Sequence, residues 1–262
     1  MWIDTHCHLD AAEFGANPGA VAQAAEQGGV SQIVIPAIAR DNFATVRELA
    51  GRQSNCFYAL GIHPIFVPQA AEEDLDALRA AIEAAMDDPR FVAVGEIGLD
   101  FFVPGLGEGE LRKKQEFFYS EQLKIARDAG LPVLLHVRRS QDIILKYLRR
   151  IDMPGGIAHA FNGSFQQAEE FIRLGFKLGF GGAMTFPRAL QIRRLAATVD
   201  ENAIVLETDA PDISPVWLHP QRNSPEELPR IGQVLADLRK IPVALAADIT
   251  SRNARNVLSR LN

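Results

Sequence analysis

Cysteine is almost absent from this sequence, and long apolar runs are missing altogether. Among 262 residues only Cys7 and Cys56 are cysteines, too few for a disulfide framework or a four-cysteine zinc knuckle, and such sparse use is typical of a reducing compartment. The longest apolar runs, residues 33–38 and 131–135, are far shorter than the roughly 20 residues that span a bilayer. The first residues have neither the basic stretch nor the cleavage site of a signal peptide. We therefore expect a cytoplasmic protein without a membrane segment.

An excess of positive charge is also missing. Lysine and arginine together number 27 against 33 aspartates and glutamates, which gives a net charge of −6. A protein that coats duplex nucleic acid is usually basic, so the charge disfavours that class. An enzyme that contacts only a few phosphates needs no such excess, and a bound multivalent cation would reverse the local charge.

The chain has no low-complexity tract and no linker rich in proline or serine, so we expect a single domain over residues 1–262. Short apolar runs alternate with amphipathic helical patterns. The runs lack polar alternation, which is typical of parallel strands buried on both faces. The predicted strands are residues 2–5, 32–37, 56–61, 91–97, 132–137, 156–161, 176–181 and 203–207. The predicted helices are residues 18–27, 41–51, 72–86, 110–129, 141–149, 165–174, 189–198, 225–238 and 243–261.

Residues at the helix ends agree with this assignment. Asp41 and Ser164 are predicted N-caps, and Gly51, Gly130 and Gly175 lie where a glycine follows a helix. Eight βα units in a chain of this length predict an α/β protein with a (β/α)8 TIM-like barrel. The alternative, a doubly wound sheet, requires a glycine-rich phosphate loop after the first strand, and none is present.

Most of the histidines follow predicted strands. Five of the six lie at or just after the end of a strand, and two acids have the same placement. These residues are His6, His8, His63, His136, His159, Glu96 and Asp209. In a barrel such ends meet at the face that carries the active site, and imidazole and carboxylate are ligands for Zn²⁺, Mn²⁺ and iron. The pattern therefore predicts a metal site at the barrel mouth, whereas His219 lies in a long loop and is not expected to be a ligand.

The histidine pair near the first strand carries the most specific local signal. His6 and His8 are two residues apart, and this spacing places both rings on one face of a strand, where they can chelate one ion. A turn with two solvated histidines is the alternative. Asp4 either accepts a hydrogen bond from an imidazole N–H or caps the segment that follows.

The remaining candidates also have alternative interpretations. Glu96 and Asp209 follow apolar runs, and a buried carboxylate needs a partner, either a cation or an arginine. His136 and His159 are predicted to be either metal ligands or histidines buried in the core. His63 is a ligand, a phosphate contact or a turn residue, and we favour a contact close to the metals. Four histidines and two carboxylates at one rim suffice for two adjacent ions, which suits hydrolysis of a phosphodiester, an amide or an ester.

Six ordered motifs give the chain a specific resemblance along nearly its whole length. They are DTHCHLD at 4–10, GIHP at 61–64, GEIGLD at 95–100, LPV and HVR within 131–138, HAFNG at 159–163 and ETDAP at 207–211. With these motifs the chain resembles the TatD family of metal-dependent hydrolases, in the amidohydrolase-like barrel superfamily.

The resemblance implies a TIM-like barrel with one to three divalent ions at its top. It implies that His6, His8, Glu96 and Asp209 bind one ion and that Glu96, His136 and His159 bind another, so that Glu96 bridges them. Members of the family are described as Mg²⁺-dependent deoxyribonucleases, several of them 3′→5′ exonucleases on single strands. Some relatives act on other substrates, including aminoacyl-tRNA esters.

Departures from the family pattern fall where a substrate would lie. Phe101 stands where the family often has tyrosine, Ala160 and Asn162 stand in a motif that commonly reads HCF followed by serine or threonine, and Val137 replaces a serine before Arg138. Residues 211–225 are typical of a divergent subgroup. These departures leave the implied metal ligands intact and put the choice of substrate in doubt.

We therefore expect a monomeric hydrolase with two or three divalent ions, Mg²⁺, Mn²⁺ or Zn²⁺, that acts as a 3′→5′ exonuclease on single-stranded DNA and contacts few phosphates. Asp209 would help to deprotonate the attacking water beside Glu96, while His63 and Arg138 would hold a phosphate oxygen. An exposed ion pair is the alternative for Arg138.

Phe101 and Phe102 stack on a base or pack on the barrel rim. The competing functions are hydrolysis of small esters, amides, lactones or aminoacyl-tRNA esters by the same metals, and a non-catalytic barrel whose metals serve only stability or partner binding.

Overall fold

The computed structural model describes residues Met1–Asn262. Its eight strands form one parallel sheet in which neighbours along the chain are also neighbours in the sheet. The strands are β1 Trp2–Asp4, β2 Val30–Pro36, β3 Cys56–Leu60, β4 Phe91–Asp100, β5 Val133–Arg138, β6 Gly156–Ala158, β7 Phe176–Phe180 and β8 Ile204–Leu206. This order confirms the predicted (β/α)8 barrel.

The last strand lies beside the first. The backbone N–H and the hydroxyl of Thr5 both donate to the carbonyl of Leu206, at 3.1 and 3.0 Å. Further along both segments, Asp209 N donates to the carbonyl of His6 at 2.8 Å. These bonds close the barrel at its C-terminal mouth and bring the segments after β1 and β8 together.

Nine α-helices surround the sheet. They are α1 Pro18–Gln27, α2 Phe43–Arg52, α3 Glu73–Ala85, α4 Gly109–Asp128, α5 Gln141–Leu148, α6 Phe165–Arg173, α7 Leu190–Thr198, α8 Leu228–Arg239 and α9 Val243–Val257. None of them combines the length and the apolar composition that crossing a bilayer requires.

Several predicted helix ends are confirmed. Ser164 caps α6, because its hydroxyl accepts from Gln167 N at 3.1 Å while the Gln167 side-chain oxygen accepts from Ser164 N at 2.9 Å. Gly130 and Gly175 follow α4 and α6 with φ of +66° and +85°. Glycine adopts this left-handed conformation without the steric cost that a Cβ would bring.

Two predicted helix ends are wrong. Asp41 does not cap α2: Asn42 is the residue that precedes the helix, and it makes no side-chain capping bond to it. The Asn42 side-chain oxygen instead accepts from Ile38 N and Ala39 N, both at 3.1 Å, and stabilises the preceding 3₁₀ turn. Gly51 does not end α2 either. It lies inside the helix, which ends one residue later at Arg52, and its φ is not positive.

Other boundaries shift by a few residues. β4 continues beyond the predicted end at residue 97, because residues 98–100 still pair with the last three residues of β5. The helix predicted at 225–238 begins with a 3₁₀ turn, Pro225–Glu227, before α8. The helix predicted at 243–261 ends early and gives way to a second 3₁₀ turn, Ser259–Leu261.

The apolar core has two parts. Strand side chains that face the helices join a core of 60 buried residues. A cluster of 11 buried residues combines alternate strand residues, such as Ile3 and Val205, with Leu258 and Leu261. Since Arg260 donates to the carbonyl of Phe91, the first residue of β4, at 2.6 Å, this cluster fills the N-terminal end of the barrel and leaves the C-terminal mouth to the histidines.

A glycine on α8 allows this helix to approach β1. A Cβ at Gly232 would lie 2.6 and 2.7 Å from Cζ3 and Cζ2 of the buried Trp2 indole. We expect Gly232→Ala to lower the free energy of unfolding by about 1–3 kcal/mol through overpacking, as measured by urea denaturation.

Gly51 provides the matched control for that substitution. It lies inside α2, where a Cβ would meet nothing within 4 Å, so Gly51→Ala should raise stability by up to about 1 kcal/mol through helix propensity. Equal effects of the two substitutions would contradict the packing argument.

Candidate metal centre

Five histidines and two acids gather at the C-terminal mouth of the barrel. His6 and His8 follow β1, His63 follows β3, Glu96 lies within β4, His136 lies within β5, His159 follows β6 and Asp209 follows β8. All of these residues were candidates on sequence grounds, and the structure brings all of them together.

Glu96 lies at the centre of the cluster, with its side chain only 1% exposed. Its Oε2 is 3.1 Å from His6 Nε2 and 3.3 Å from His8 Nε2. Its Oε1 is 2.9 Å from both His136 Nδ1 and His159 Nε2. The two carboxylate oxygens therefore face two different groups of imidazoles.

Two further residues border this centre. His63 Nε2 lies 3.3 Å from Glu96 Oε1 and 3.0 Å from His136 Nδ1. Asp209 Oδ1 lies 3.6 Å from His6 Nε2 and 3.8 Å from His8 Nε2. Asp209 is 14% exposed, so it lies at the open side of the cluster.

The extended backbone after β1 explains why His6 and His8 face the cavity together. Cys7 N donates to the carbonyl of Val34 on β2 at 3.1 Å, and His8 N donates to the carbonyl of Ala210 after β8 at 2.8 Å. Successive side chains therefore alternate: Cys7 is buried in the core, whereas the two imidazoles lie on the other side with their Nε2 atoms 3.3 Å apart.

Glycines allow the strands to approach closely around Glu96. A Cβ at Gly95 would lie 2.6 Å from Leu134 Cβ on β5, and a Cβ at Gly61 would lie 2.7 Å from the Gly95 carbonyl carbon. Gly98 has φ of +145° and adjoins the carbonyl of His136. Side chains at these positions would push β3, β4 and β5 apart and with them the groups that surround Glu96.

Asp4 acts as a cap and a tether. Of the two expected roles, it takes the second: Oδ1 accepts from His6 N at 3.2 Å and from Thr208 N at 2.9 Å, while Oδ2 accepts from the Thr208 hydroxyl at 2.6 Å. It thereby joins the segments that carry His6 and Asp209. Burial raises the pKa of Asp4 to about 7 despite these hydrogen bonds.

The cluster strongly perturbs the pKa values of its members. Burial lowers the pKa of His6 to about 3 and that of His63 to about 4, because the imidazolium loses its hydration. Burial alone would lower the pKa of His8, but Glu96 and Asp209 raise it to about 9. Burial raises the pKa of Asp209 to about 6. Burial would also raise the pKa of Glu96, but the imidazoles hold it well below its usual value.

These side chains fit divalent cations. Five imidazole nitrogens lie within 3.3 Å of the Glu96 carboxylate. Its two oxygens cannot form a good hydrogen bond with each of them, so some nitrogens must face each other. Three overlapping groups have their donor atoms within 4.8 Å of one another: His6–His8–Asp209, His6–Glu96–His159 and His63–Glu96–His136. Converging nitrogen and oxygen donors of this kind are satisfied by Zn²⁺, Mn²⁺ or Mg²⁺.

Two buried acids next to the cluster were not among the predicted site residues. Asp100 Oδ2 lies 3.0 Å from His136 Nε2, and Glu207 Oε1 accepts from Ala160 N and lies 3.6 Å from His159 Nδ1. Each acid therefore faces the outer nitrogen of one histidine. The sequence contained a signal for both acids, since each lies at the end of an apolar strand, as the predicted acids do.

The expected substrate residues divide between the rim and the packed interior. Arg138 is exposed and makes no ion pair, and its Cζ lies 3.9 Å from the ring centroid of Phe102, which is 44% exposed. Phe101 packs against the core and under Arg112, whose Cζ lies 4.5 Å from its ring centroid. His219 lies outside the cluster, beside Phe186.

Comparison with known proteins agrees with this geometry. The family described as TatD related DNase matches residues 3–259. The Escherichia coli K12 protein named uncharacterized metal-dependent hydrolase YjjV is 41% identical over 242 residues, 92% of this chain and 91% of its own. The crystal structure of YjjV at 1.8 Å, a TatD homolog, superposes with a TM-score of 0.92 at 39% identity and covers 98% of both chains.

A second relative has a more specific name. The 3′-5′ ssDNA/RNA exonuclease TatD of Musicola paradisiaca is 30% identical over 263 residues, which cover 97% of each chain. With the family match over almost all of its residues and full-length relatives of this kind, the chain belongs to the TatD family and is a metal-dependent hydrolase.

Proposed function

We propose that this protein hydrolyses phosphodiester bonds from the 3′ end of single-stranded DNA with divalent ions held at the Glu96 cluster. One observation carries the proposal: a buried carboxylate contacts imidazoles from four separate βα units, with Asp209 beside it at the open side. Two adjacent ions suit this donor set and suit phosphodiester hydrolysis. The exonuclease relative supports the class of substrate.

We assign Glu96 as the shared ligand of two ions, because its two oxygens face different partners. One ion would be held by Glu96 with His6, His8 and Asp209, and the other by Glu96 with His136 and His159. Mg²⁺, Mn²⁺ or Zn²⁺ would serve. Bound divalent ions would supply a water of lowered pKa and positive charge against the phosphate oxygens.

Hydrogen bonds fix which nitrogen of two histidines faces the cavity. His63 Nδ1 accepts from Ile65 N at 3.1 Å, so its proton is on Nε2, and His63 presents a donor to a phosphate oxygen. His136 Nε2 faces the Asp100 carboxylate at 3.0 Å and donates to it, so His136 presents the Nδ1 lone pair to an ion. The two neighbours thus have different roles, and Asp100 is what sets the role of His136.

Asp209 is the proposed proton acceptor. Its backbone is fixed by the bond from its N–H to His6 and has φ of +55°, and its carboxylate faces the open side of the cluster. In that position it accepts the proton of the attacking water. On the other side of the mouth Arg138 holds a non-bridging phosphate oxygen, and Phe102, which is 44% exposed, contacts a base.

We place this activity in the cytoplasm and assign it to a monomer. Both cysteines are free and buried, which suits a reducing compartment. Every proposed ligand belongs to one chain, so the centre requires no second copy.

A labelled oligonucleotide tests the reaction and its direction. With Mg²⁺ or Mn²⁺, a 5′-labelled single strand should shorten stepwise from its 3′ end and release mononucleotides, and a duplex should resist. We expect Asp209→Asn to lower kcat by about 10²–10⁴-fold, the range for loss of a general base.

The exposed Asp76→Asn, prepared in the same way, is the matched control for Asp209→Asn and should retain full activity. If the wild type turns over esters or lactones but releases no nucleotide, the proposed function is wrong.

The shared ligand gives a prediction about metal content. We expect wild-type protein to retain bound divalent metal after desalting, and to lose thermal stability on chelation because the ions bind only the folded state. Glu96→Gln should retain much less metal, measured by elemental analysis, with an unchanged circular dichroism spectrum. The exposed Glu110→Gln is the control, and equal metal content in the two variants would exclude Glu96 as a ligand.

The phosphate contact of Arg138 predicts an effect on substrate binding. We expect Arg138→Ala to raise KM about tenfold, a loss of about 1.4 kcal/mol, and to weaken the salt dependence of binding, because one phosphate contact is removed. Arg150→Ala, which removes an exposed arginine after α5, should change neither quantity. A purely catalytic loss in Arg138→Ala would contradict the assignment.

A further inference from the structure

A groove leads away from the metal centre between the loops that follow β7 and β8. It has a volume of about 700 Å³, within the range of roughly 300–1,000 Å³ typical of small-molecule sites. Ala183, Ile192 and Ile213 line both this groove and a smaller cavity that reaches Asp209. A ligand in the groove would therefore adjoin the reaction centre.

The groove is lined by an aromatic pair and by charged side chains. Phe186 and His219 meet edge to face, with ring centroids 5.6 Å apart and planes at 80°. The charged lining residues are Glu13, Asp212 and Arg222. Two acids against one arginine disfavour a phosphate, whereas a neutral planar ring gains an apolar contact for its face and polar partners for its edge.

The loop that carries His219 is held in place before any ligand arrives. Asn223 Nδ2 donates to the carbonyl of Thr208 at 2.9 Å, and Val216 N donates to the Thr185 hydroxyl at 2.8 Å. His219 N itself donates to the carbonyl of Pro215 at 3.0 Å. Binding in this groove therefore costs little ordering of the loop, which favours a specific site.

We propose that the groove is a nucleobase subsite, in which the Phe186–His219 pair stacks on the base of the nucleotide next to the scissile phosphate. The inference rests on the proposed nuclease function and deepens it. It places this base on the mixed, net acidic side of the mouth at β7 and β8, opposite the β5 side, where Arg138 contacts a phosphate and Phe102 another base. Residues 211–225 supply His219, Asp212 and Arg222.

Binding measured without hydrolysis tests the subsite. The probe is a short single strand with phosphorothioate linkages and 2-aminopurine as its 3′-terminal base, whose fluorescence is quenched on stacking. We expect quenching by the wild type, and about ten- to hundredfold weaker binding by Phe186→Ala and by His219→Ala, as expected for loss of base stacking. The same strand with an abasic 3′ terminus should bind the wild type and both variants equally.

Phe117→Ala is the matched control, since Phe117 is 40% exposed on α4, and it should bind both probes like the wild type. Because Phe186 and His219 are substituted separately, a folding defect in one variant leaves the other to test the subsite. Absence of quenching with the wild type, or unchanged affinity in both variants, would overturn the subsite. So would an Arg222→Ala variant that loses affinity equally for base-bearing and abasic strands, because the groove would then hold a phosphate.

The two proposals can fail separately. If no strand is hydrolysed but the quenching depends on Phe186 and His219, the nuclease function is wrong and the base subsite stands. If strands are hydrolysed while both variants match the wild type on both probes, the subsite is wrong and the nuclease function stands.

Discussion

The burial of one carboxylate among imidazoles is the constraint on which the rest of the site depends. Glu96 is nearly inaccessible to water, and an isolated carboxylate at such depth would be very costly. Its cost is offset by histidines from four βα units, and those histidines in turn need the close approach of β3, β4 and β5 that Gly61, Gly95 and Gly98 allow. Backbone packing and metal chemistry are therefore specified by the same few positions.

Further buried acids lie behind the histidines. Asp100 pairs with the outer nitrogen of His136 at 3.0 Å and orients that ring, whereas Glu207 lies 3.6 Å from the outer nitrogen of His159 and accepts from Ala160 N instead. Asp4 acts on the backbone instead and fixes the segments after β1 and β8 relative to each other. The chain therefore separates two tasks: Glu96 and Asp209 face the proposed ion sites, and Asp100 determines which imidazole nitrogen of His136 is available.

The sequence allowed the barrel and the members of the inner cluster to be predicted, because both depend on local patterns. Apolar runs mark β1–β8, and His6, Glu96 or Asp209 stands out as a polar residue at the end of such a run. The roles of Asp100 and Glu207 depend on which atom faces which, and no spacing along the chain contains that information. The extension of β4 and the groove beside His219 were missed for the same reason, since each depends on partners distant in sequence.

The contacts that close the barrel between its first and last strands determine how stable this edge of the barrel is. The contacts between Thr5 and Leu206 and between His6 and Asp209 join segments about 200 residues apart, so forming them closes a long loop at a cost in chain entropy. Local opening along this seam would separate Asp209 from His6 without unfolding the remaining βα units. An ion held by His6, His8 and Asp209, as proposed, would bind only while this seam is closed, so that its dissociation and the separation of the two segments would be linked equilibria. Scarcity of metal would then first weaken this one edge of the barrel.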